Sequence, residues 1–334
     1  MRAIAPGKLI LSGEHAVVYG RPALAMAIDR CATSVITADL SDLVSFDLVN
    51  LQSRDSFTLH MLSEMKQRVA RSYHLFLDGQ LSIREVLHKP VELFEFAFIN
   101  ILDGLHLKLE RGLNIQTESN IPIGCGMGSS AATVLSVLRG IGHYFRVDFR
   151  PDWVMKYSLD AEKLQHGHPS GVDSYVSLHG GCALFQNGEA RAVPLPRLAM
   201  YLVHTGVPAS TTGECVVQVG QRFKNDVIWS DFEAVTLEME RAIRANNLPG
   251  IRRMVRENNK LLAAIGVVPQ RVQSFIREVE DWGGAAKVCG AGSVVGDAAG
   301  VVLVVASESP AELCAKHNYT LIPVRGDPLG ARII

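Results

Sequence analysis

The stretch from Leu113 to Tyr144 restricts the fold most, because it joins two different hydrophobic periods through a cluster of glycines. In LNIQTES, residues 113–119, successive side chains alternate in character, which is typical of a half-buried strand. From Ser130 onward the apolar residues recur at helical spacing, and the predicted apolar face consists of Ala131, Val134, Leu135, Leu138 and Ile141. The sequence therefore predicts a strand that enters a glycine-rich turn and continues as a buried helix.

The turn itself, GCGMGSS at residues 124–130, is compatible with two kinds of structure. Glycines let a backbone approach an anion closely, and the exposed N–H groups at a helix start bind phosphate. An ordinary turn capped by serine accounts for the same residues. Two common nucleotide-binding patterns are absent, since Gly7-Lys8 is followed by Leu9 and the glycines of the turn are spaced two by two. These residues alone leave an anion site and a capped turn open.

Composition and charge exclude several classes of function. The chain has 334 residues, 48% of them hydrophobic and 20% charged, which predicts a soluble globular protein with room for two domains. A net charge of −1 gives no overall field for nucleic acid or an anionic membrane, and no segment has the length and apolarity of a membrane span. Six scattered cysteines and an N-terminal segment unlike a secretion signal predict a cytoplasmic location; the cysteines are Cys31, Cys125, Cys182, Cys215, Cys289 and Cys314.

The pattern along the chain predicts two α+β domains, residues 1–195 and 196–334, with a boundary near the proline-containing segment 194–198. In the first, a helical region from 62 to 109 is divided by Pro90, and Asn187-Gly188 predicts a hairpin turn. In the second, three amphipathic helices are expected between residues 213 and 282. Two apolar strands near 285–288 and 301–305 then bracket a second glycine cluster.

Four segments together resemble the GHMP kinase superfamily over essentially the whole chain. APGKLILSGEHAVVYG at the N-terminus, the glycine turn, and KVCGAGSVVGD near the C-terminus appear in the order of that superfamily's three signatures. DAEKLQHGHPSGVDSYVS, residues 160–177, is similar to the H-G-x-P-S-G-x-D segment of the mevalonate kinase family. The resemblance implies an N-terminal ribosomal-S5-like domain and a C-terminal ferredoxin-like α/β sandwich, with the site between them. It also implies transfer of the γ-phosphoryl of ATP to the 5-hydroxyl of mevalonate, with Mg²⁺.

The resemblance also assigns roles to individual residues. Asp173 would orient or deprotonate the substrate hydroxyl, and Lys8 would pair with it and stabilise developing charge, although an aspartate after Ser-Gly is commonly a turn residue. Ser130 and Glu162 would bind the metal. Substrate-binding roles fall to Glu14, His15, Ser170 and Thr211, the last with an uncertain register across residues 210–212. ATP phosphates would be bound by Gly124, Cys125, Gly126, Met127, Gly128, Ser129, Ser130, Gly290, Ala291 and Gly292.

The chain departs from the family pattern at one signature, and the sequence leaves alternative functions open. The family's last signature continues with glycines, whereas this chain has Ser293-Val294-Val295, which makes the segment bulkier and stiffer. His166 and His168 resemble a metal pair, but the family pattern makes them loop residues. Rival functions are another GHMP small-molecule kinase, acting on phosphomevalonate, homoserine or a sugar, and a catalytically silent ligand-binding regulator. The oligomeric state is left open, a homodimer included.

Overall fold

The computed structural model describes residues 1–122, 124–148 and 150–334. Within them the chain forms twelve β-strands and ten α-helices. The strands are β1 (Arg2–Ser12), β2 (Ala23–Ala38), β3 (Val44–Leu48), β4 (Ser53–Phe57), β5 (Leu113–Ser119), β6 (Cys182–Gln186), β7 (Glu189–Val193), β8 (Met200–Gly206), β9 (Ala285–Cys289), β10 (Gly300–Val305), β11 (Thr320–Val324) and β12 (Arg332–Ile333). The helices are α1 (Leu59–Leu77), α2 (Glu92–Gly104), α3 (Ser129–Tyr144), α4 (Pro151–His166), α5 (Val172–His179), α6 (Thr212–Phe223), α7 (Ile228–Arg244), α8 (Leu248–Ala264), α9 (Gln270–Asp281) and α10 (Ala311–His317).

The strands form two sheets. An eight-stranded sheet has the order β12-β1-β2-β5-β3-β4, and the hairpin β6-β7 extends it from β2. The long strand β2 makes this branching possible, because its first half pairs with β6 and its second half with β5. A four-stranded antiparallel sheet has the order β11-β8-β10-β9. Because β12 pairs with β1, the larger sheet contains both ends of the chain. The division at residues 195 and 196 stays a prediction.

Most local predictions agree with the structure. Strand β5 buries Leu113, Ile115 and Thr117 and leaves the alternate side chains partly or fully exposed. Helices α1 and α2 lie on either side of Pro90, and Asn187 and Gly188, both with positive φ, turn the β6-β7 hairpin.

The predicted number of helices after residue 213 was wrong, because four helices (α6 to α9) occupy this region instead of three. The break between α7 and α8 is made by two asparagines, of which Asn246 takes a left-handed φ of 51° and Asn247 caps α8 through its side chain. A further break precedes α9, where Gly266 has a φ of 82° and Pro269 is the N-cap. None of the helices in the described part of the chain is long and apolar enough to cross a membrane.

Helix α3 is buried more completely than a single apolar face would require. It packs against β1 and β2 on one side and against α2, α4 and α5 on the other, so every residue from Ala131 to Leu138 is buried. Small side chains permit this close packing: a Cβ on Gly140 would lie 2.7 Å from Cδ1 of Ile36. The hydroxyls of Ser34 and Ser136 form a 2.6 Å hydrogen bond across the same contact. Helix α3 is therefore packed closely against the larger sheet.

Candidate active site

A buried lysine and an aspartate form the centre of the site. Lys8 lies in β1 with 5% of its side chain exposed, and Asp173 lies in the first turn of α5. Their Nζ and Oδ1 atoms are 3.0 Å apart. The chain reaches Asp173 through Gly171, which precedes α5 with a left-handed φ of 84°. A charged pair that is only partly exposed (30% for Asp173) is held in place more firmly than a surface ion pair.

The glycine turn closes over this pair. Gly124, Gly126 and Gly128 all have φ near 70°, a conformation that other residues rarely adopt. A Cβ on Gly128 would lie 2.9 Å from Cγ of Lys8 and 3.6 Å from Oδ2 of Asp173. The backbone N–H of Lys8 donates to the carbonyl of Met127 at 2.9 Å. The absence of a side chain at 128 thus allows β1, α5 and the turn to meet.

Helix α3 begins directly at this point. Its N-cap is Gly128, and in the described part of the chain no side chain caps its first turn. The carbonyl of Gly128 accepts from the N–H of Ala132, so the earlier amides at 129–131 are available to a ligand. These amides and the positive end of the helix dipole suit an anion. Between the two structures left open by the sequence, the uncapped helix start favours the anion site.

Glu162 and Ser130 lie on neighbouring helices of the site. Glu162 is buried near the end of α4. Burial, reinforced by the nearby negative charge of Asp173, holds the pKa of Glu162 well above its ordinary value. Ser130 is in the first turn of α3 and is partly exposed. No group of three or more His, Cys, Asp or Glu side chains arranged to hold a metal occurs among the described residues.

Glu14 is buried in an ion pair that the sequence analysis did not anticipate. Its Oε1 atom contacts Nζ of Lys287 in β9, and both side chains are almost completely buried. Lys287 also donates to the carbonyl of Ile10 at 3.1 Å. Burial raises the pKa of Glu14, while the positive charge of Lys287 opposes that shift. The pair therefore joins the end of β1 to the smaller sheet.

His15 connects the segment after β1 to the turn at Gly290–Gly292. Its Nε2 atom is 3.0 Å from the carbonyl oxygen of Ala291 and donates to it. Burial lowers the pKa of this imidazole, which favours its neutral form. The residue has a φ of 60°, which is uncommon for a residue other than glycine.

Gly290 brings the second glycine turn against the first. A Cβ on Gly126 would lie 3.1 Å from the Cα of Gly290. Gly290 and Gly292 have φ of 76° and 65°, so the turn adopts the left-handed conformations that its glycines predict. The residues predicted to bind phosphate thus lie in two turns that touch.

The remaining predicted residues, Ser170 and Thr211, lie at the ends of helices. Oγ of Ser170 accepts from the N–H of Val172 at 3.4 Å, just before α5. Thr211 is exposed and caps α6, exchanging hydrogen bonds with Glu214. Nη2 of Arg84 donates to Oγ1 of Thr211 at 3.3 Å. Thr211 therefore has a structural contribution independent of any ligand.

Lys287 is the residue of this site that sequence reasoning missed. It lies in AAKVC, where a lysine interrupts four small or apolar residues of a fully buried strand. A charged residue inside such a strand is a signal of a buried partner, because a buried charge needs a counter-ion. The partner is Glu14, far away in the sequence, and only the tertiary structure identifies it.

Comparisons with known proteins identify the family to which this chain is similar. A family model for the GHMP kinases N terminal domain matches residues 93–181. A mevalonate kinase of Archaeoglobus fulgidus is 30% identical over 298 residues, covering 87% of this chain and 89% of that protein. One of Thermococcus sibiricus is 26% identical over 309 residues, covering 87% and 86%.

A solved structure shows the same fold. The crystal structure of the Methanococcus jannaschii mevalonate kinase matches with a TM-score of 0.82 at 24% identity, covering 98% of each chain. This match confirms the mixed α+β GHMP kinase fold expected from the motifs. The 30% identity to the Archaeoglobus protein over most of both chains shows that this chain belongs to the mevalonate kinase family of GHMP kinases.

Proposed function

We propose that the protein is an ATP-dependent mevalonate kinase, which transfers the γ-phosphoryl group of ATP to the 5-hydroxyl of mevalonate. The observation that carries the proposal is the 3.0 Å pair of Lys8 and Asp173 directly behind Gly128, at the uncapped start of α3. Phosphoryl transfer requires a group that orients the hydroxyl, positive charge near the transferred group and a site for phosphates. These three requirements are met by Asp173, Lys8 and the glycine turn.

Asp173 and Lys8 have different roles in the proposed reaction. An Asp173 carboxylate oxygen accepts the hydrogen bond of the attacking hydroxyl and takes its proton as the new O–P bond forms. The ammonium group of Lys8 holds Asp173 in one orientation and offsets the negative charge that develops on the transferred phosphoryl. Burial of Lys8 keeps water from screening that charge.

The two glycine turns bind the ATP phosphates in this proposal. Backbone N–H groups in residues 124–130 and 290–292 donate to phosphate oxygens, and the first turn of α3 adds its free amides. Close approach of the two turns depends on Gly126 and Gly290 having no side chains. The phosphates then lie beside Lys8.

Ser130 and Glu162 are the residues that would hold Mg²⁺. They fit this ion because Mg²⁺ prefers oxygen ligands and is usually held by only one or two protein carboxylates together with substrate phosphates. The buried Glu162 carboxyl, whose pKa is raised by burial and by Asp173, has the unmet need for positive charge that a cation would supply. When bound, Mg²⁺ neutralises the charge of the phosphate oxygens.

Glu14, His15, Ser170 and Thr211 would bind mevalonate. Two of them retain buried polar atoms, Oε2 of Glu14 and Nδ1 of His15, that have no hydrogen-bond partner among the described residues. Unsatisfied buried polar atoms are rare in folded proteins, and a hydroxy acid such as mevalonate offers groups that would pair with them.

Three broader expectations belong to the same proposal. Residues 1–195 and 196–334 would form two domains with the site between them, the scattered cysteines favour a cytoplasmic location, and a homodimer is one assembly to test. Light scattering on the purified protein determines the last point directly.

An ADP-release assay with Mg²⁺ and four acceptors tests the function. Mevalonate should have a kcat/KM at least about tenfold above phosphomevalonate, homoserine and galactose, which corresponds to about 1.4 kcal/mol of transition-state preference. The Asp173→Asn protein, purified in the same way, controls for contaminating kinases. Preference for another acceptor would make the protein a different GHMP kinase. ATP binding without turnover on any acceptor would favour the regulator.

A further inference from the structure

Ser293 stands where the family's last signature has glycine, and its side chain is buried with only 1% of its surface exposed. Its Oγ accepts from the backbone N–H of Ser210 at 3.3 Å and lies 3.2 Å from Oγ of Ser210. It donates to the carbonyl of Val295 at 2.7 Å. Oγ of Ser293 is the donor in the pair of serines, and its single hydroxyl hydrogen is shared between Oγ of Ser210 and the carbonyl of Val295. The serine that departs from the family pattern is therefore fully engaged.

The turn that precedes Ser293 is held by several distant segments. The N–H of Ser293 donates to the carbonyl of Val267 at 3.0 Å. The carbonyl of Ala291 accepts from His15, and that of Gly292 accepts from Sγ of Cys215 at 3.8 Å. The second glycine turn thus has little freedom to move by itself.

Ser210 stands immediately before Thr211, which is fixed from its other side. Thr211 and Glu214 form a capping box at the start of α6, and Arg84 contacts both, with its Nη2 atom 2.6 Å from Oε1 of Glu214. Through the serine pair, Ser293 connects this segment to the second glycine turn.

We propose that Ser293 is a positioning residue that fixes the segment Ser210-Thr211 relative to the turn Gly290–Gly292. A glycine at 293 leaves the backbone intact but removes the hydroxyl that joins the two segments. The inference rests on the proposed function, in which the turn binds phosphates and Thr211 faces the acceptor. The link between Ser293 and Ser210 would keep a constant distance between the mevalonate hydroxyl and the ATP phosphates, and in-line transfer depends on that distance.

The test compares Ser293→Ala, Ser210→Ala and the double variant, with Ser45→Ala as a matched control. Ser45 also forms a serine pair, 2.8 Å from Oγ of Ser56, but in β3 and β4, away from the site. Ser293→Ala should raise the KM for mevalonate about five- to tenfold, and Ser210→Ala should raise it less because its N–H keeps one bond to Ser293. In both variants the KM for ATP and the melting temperature should stay near wild type. The double variant should be no worse than Ser293→Ala, because Ser293→Ala already removes both hydrogen bonds of the link, whereas Ser210→Ala keeps the one from the N–H of Ser210. Ser45→Ala should change neither KM.

Two results would overturn the inference alone: an unchanged KM for mevalonate in a folded Ser293→Ala protein that is otherwise active, or additive effects in the double variant. If Ser293→Ala does not fold, Ser210→Ala decides by the same measurement, since it removes the contact between the two hydroxyls, and an unchanged KM for mevalonate in that variant would overturn the inference. A wild-type protein that phosphorylates no acceptor would overturn the proposed function, and this inference with it.

Discussion

Gly126 and Gly290 place two glycine turns in direct backbone contact, although one follows the larger sheet and the other joins β9 to β10 of the smaller. A side chain at either position would enter the other turn, since a Cβ on each lies 3.1 Å from the Cα of the other. Both glycines have φ above 70°. The contact explains why the proposed phosphate site needs glycine on both sides.

Gly124 and Gly126 offer a matched pair of substitutions that separates backbone strain from this contact. Both have φ near 70°, but a Cβ on Gly124 would meet nothing within 4 Å among the residues that the structure describes. Gly124→Ala should therefore lower the free energy of unfolding by only about 1 kcal/mol, the usual cost of a left-handed alanine. Gly126→Ala should in addition lower kcat/KM for ATP by at least about tenfold. Equal kinetics for the two variants would show that the contact between the turns is unimportant.

Asp173→Asn keeps the shape of the side chain and removes the charge that pairs with Lys8. We expect kcat to fall by about a hundredfold or more, the range for a lost general base, while ATP binding changes little. Asp160→Asn is the control, because Asp160 forms an ordinary ion pair with Lys163 on the same helix as Glu162. Near-normal turnover of Asp173→Asn in steady-state assays would remove Asp173 from the mechanism.

Glu162→Gln should change the dependence of the reaction on Mg²⁺. The amide keeps an oxygen but loses the negative charge, so the Mg²⁺ concentration for half-maximal activity should rise at least about tenfold. Above about pH 8, where the Glu162 carboxyl is ionised beside Asp173, the variant should also be no less stable than wild type without metal. Titration of activity against Mg²⁺ and a thermal melt check these points. An unaltered Mg²⁺ requirement would argue against Glu162 as a ligand.

Glu95 should make stability depend on pH. It lies in α2 with 2% of its surface exposed, and its Oε1 atom has no hydrogen-bond partner among the described residues. Burial, followed by the charge of Glu92, raises the pKa of Glu95 from 4.5 to about 7. Folding therefore takes up a proton between these pH values, and the free energy of unfolding contributed by this group falls as pH rises from 4.5 to about 7.

Substitution of Glu95 by glutamine isolates that contribution. Glu95→Gln should flatten the decline between pH 4.5 and 7 and raise the melting temperature at pH 8 relative to wild type. Glu92→Gln is the contrasting variant, because Glu92 is 2.6 Å from Nη2 of Arg68 and accepts from the N–H of His88. Glu92→Gln should lower the melting temperature at pH 8, because it weakens the ion pair with Arg68. Denaturant unfolding at several pH values measures the free energy of unfolding of both variants. An identical pH profile in Glu95→Gln and wild type would show that Glu95 does not cause the pH dependence.

The local elements were predictable where one periodicity dominated a segment. The alternation in β5, the helical run of α3 and the Asn187-Gly188 hairpin all appear as expected. The sequence pattern predicts three helices where the structure has four, α6 to α9. Asn246 and Asn247, which separate α7 from α8, are weaker signals of a helix end than glycine or proline. Helix ends made by asparagine depend on local side-chain hydrogen bonds, which composition alone does not reveal.

The sequence by itself determined the family motifs and the strand, glycine turn and helix formed by residues 113–144, because periodicity, glycine spacing and short signatures act over a few neighbouring residues. Only the tertiary structure decided three pairings: Glu14 with Lys287, Ser293 with Ser210, and Gly126 with Gly290. Each joins segments that lie far apart in the chain. Burial makes such partners necessary, since a buried charge or hydroxyl must be satisfied, but the packing of the two sheets selects which distant residue supplies the partner.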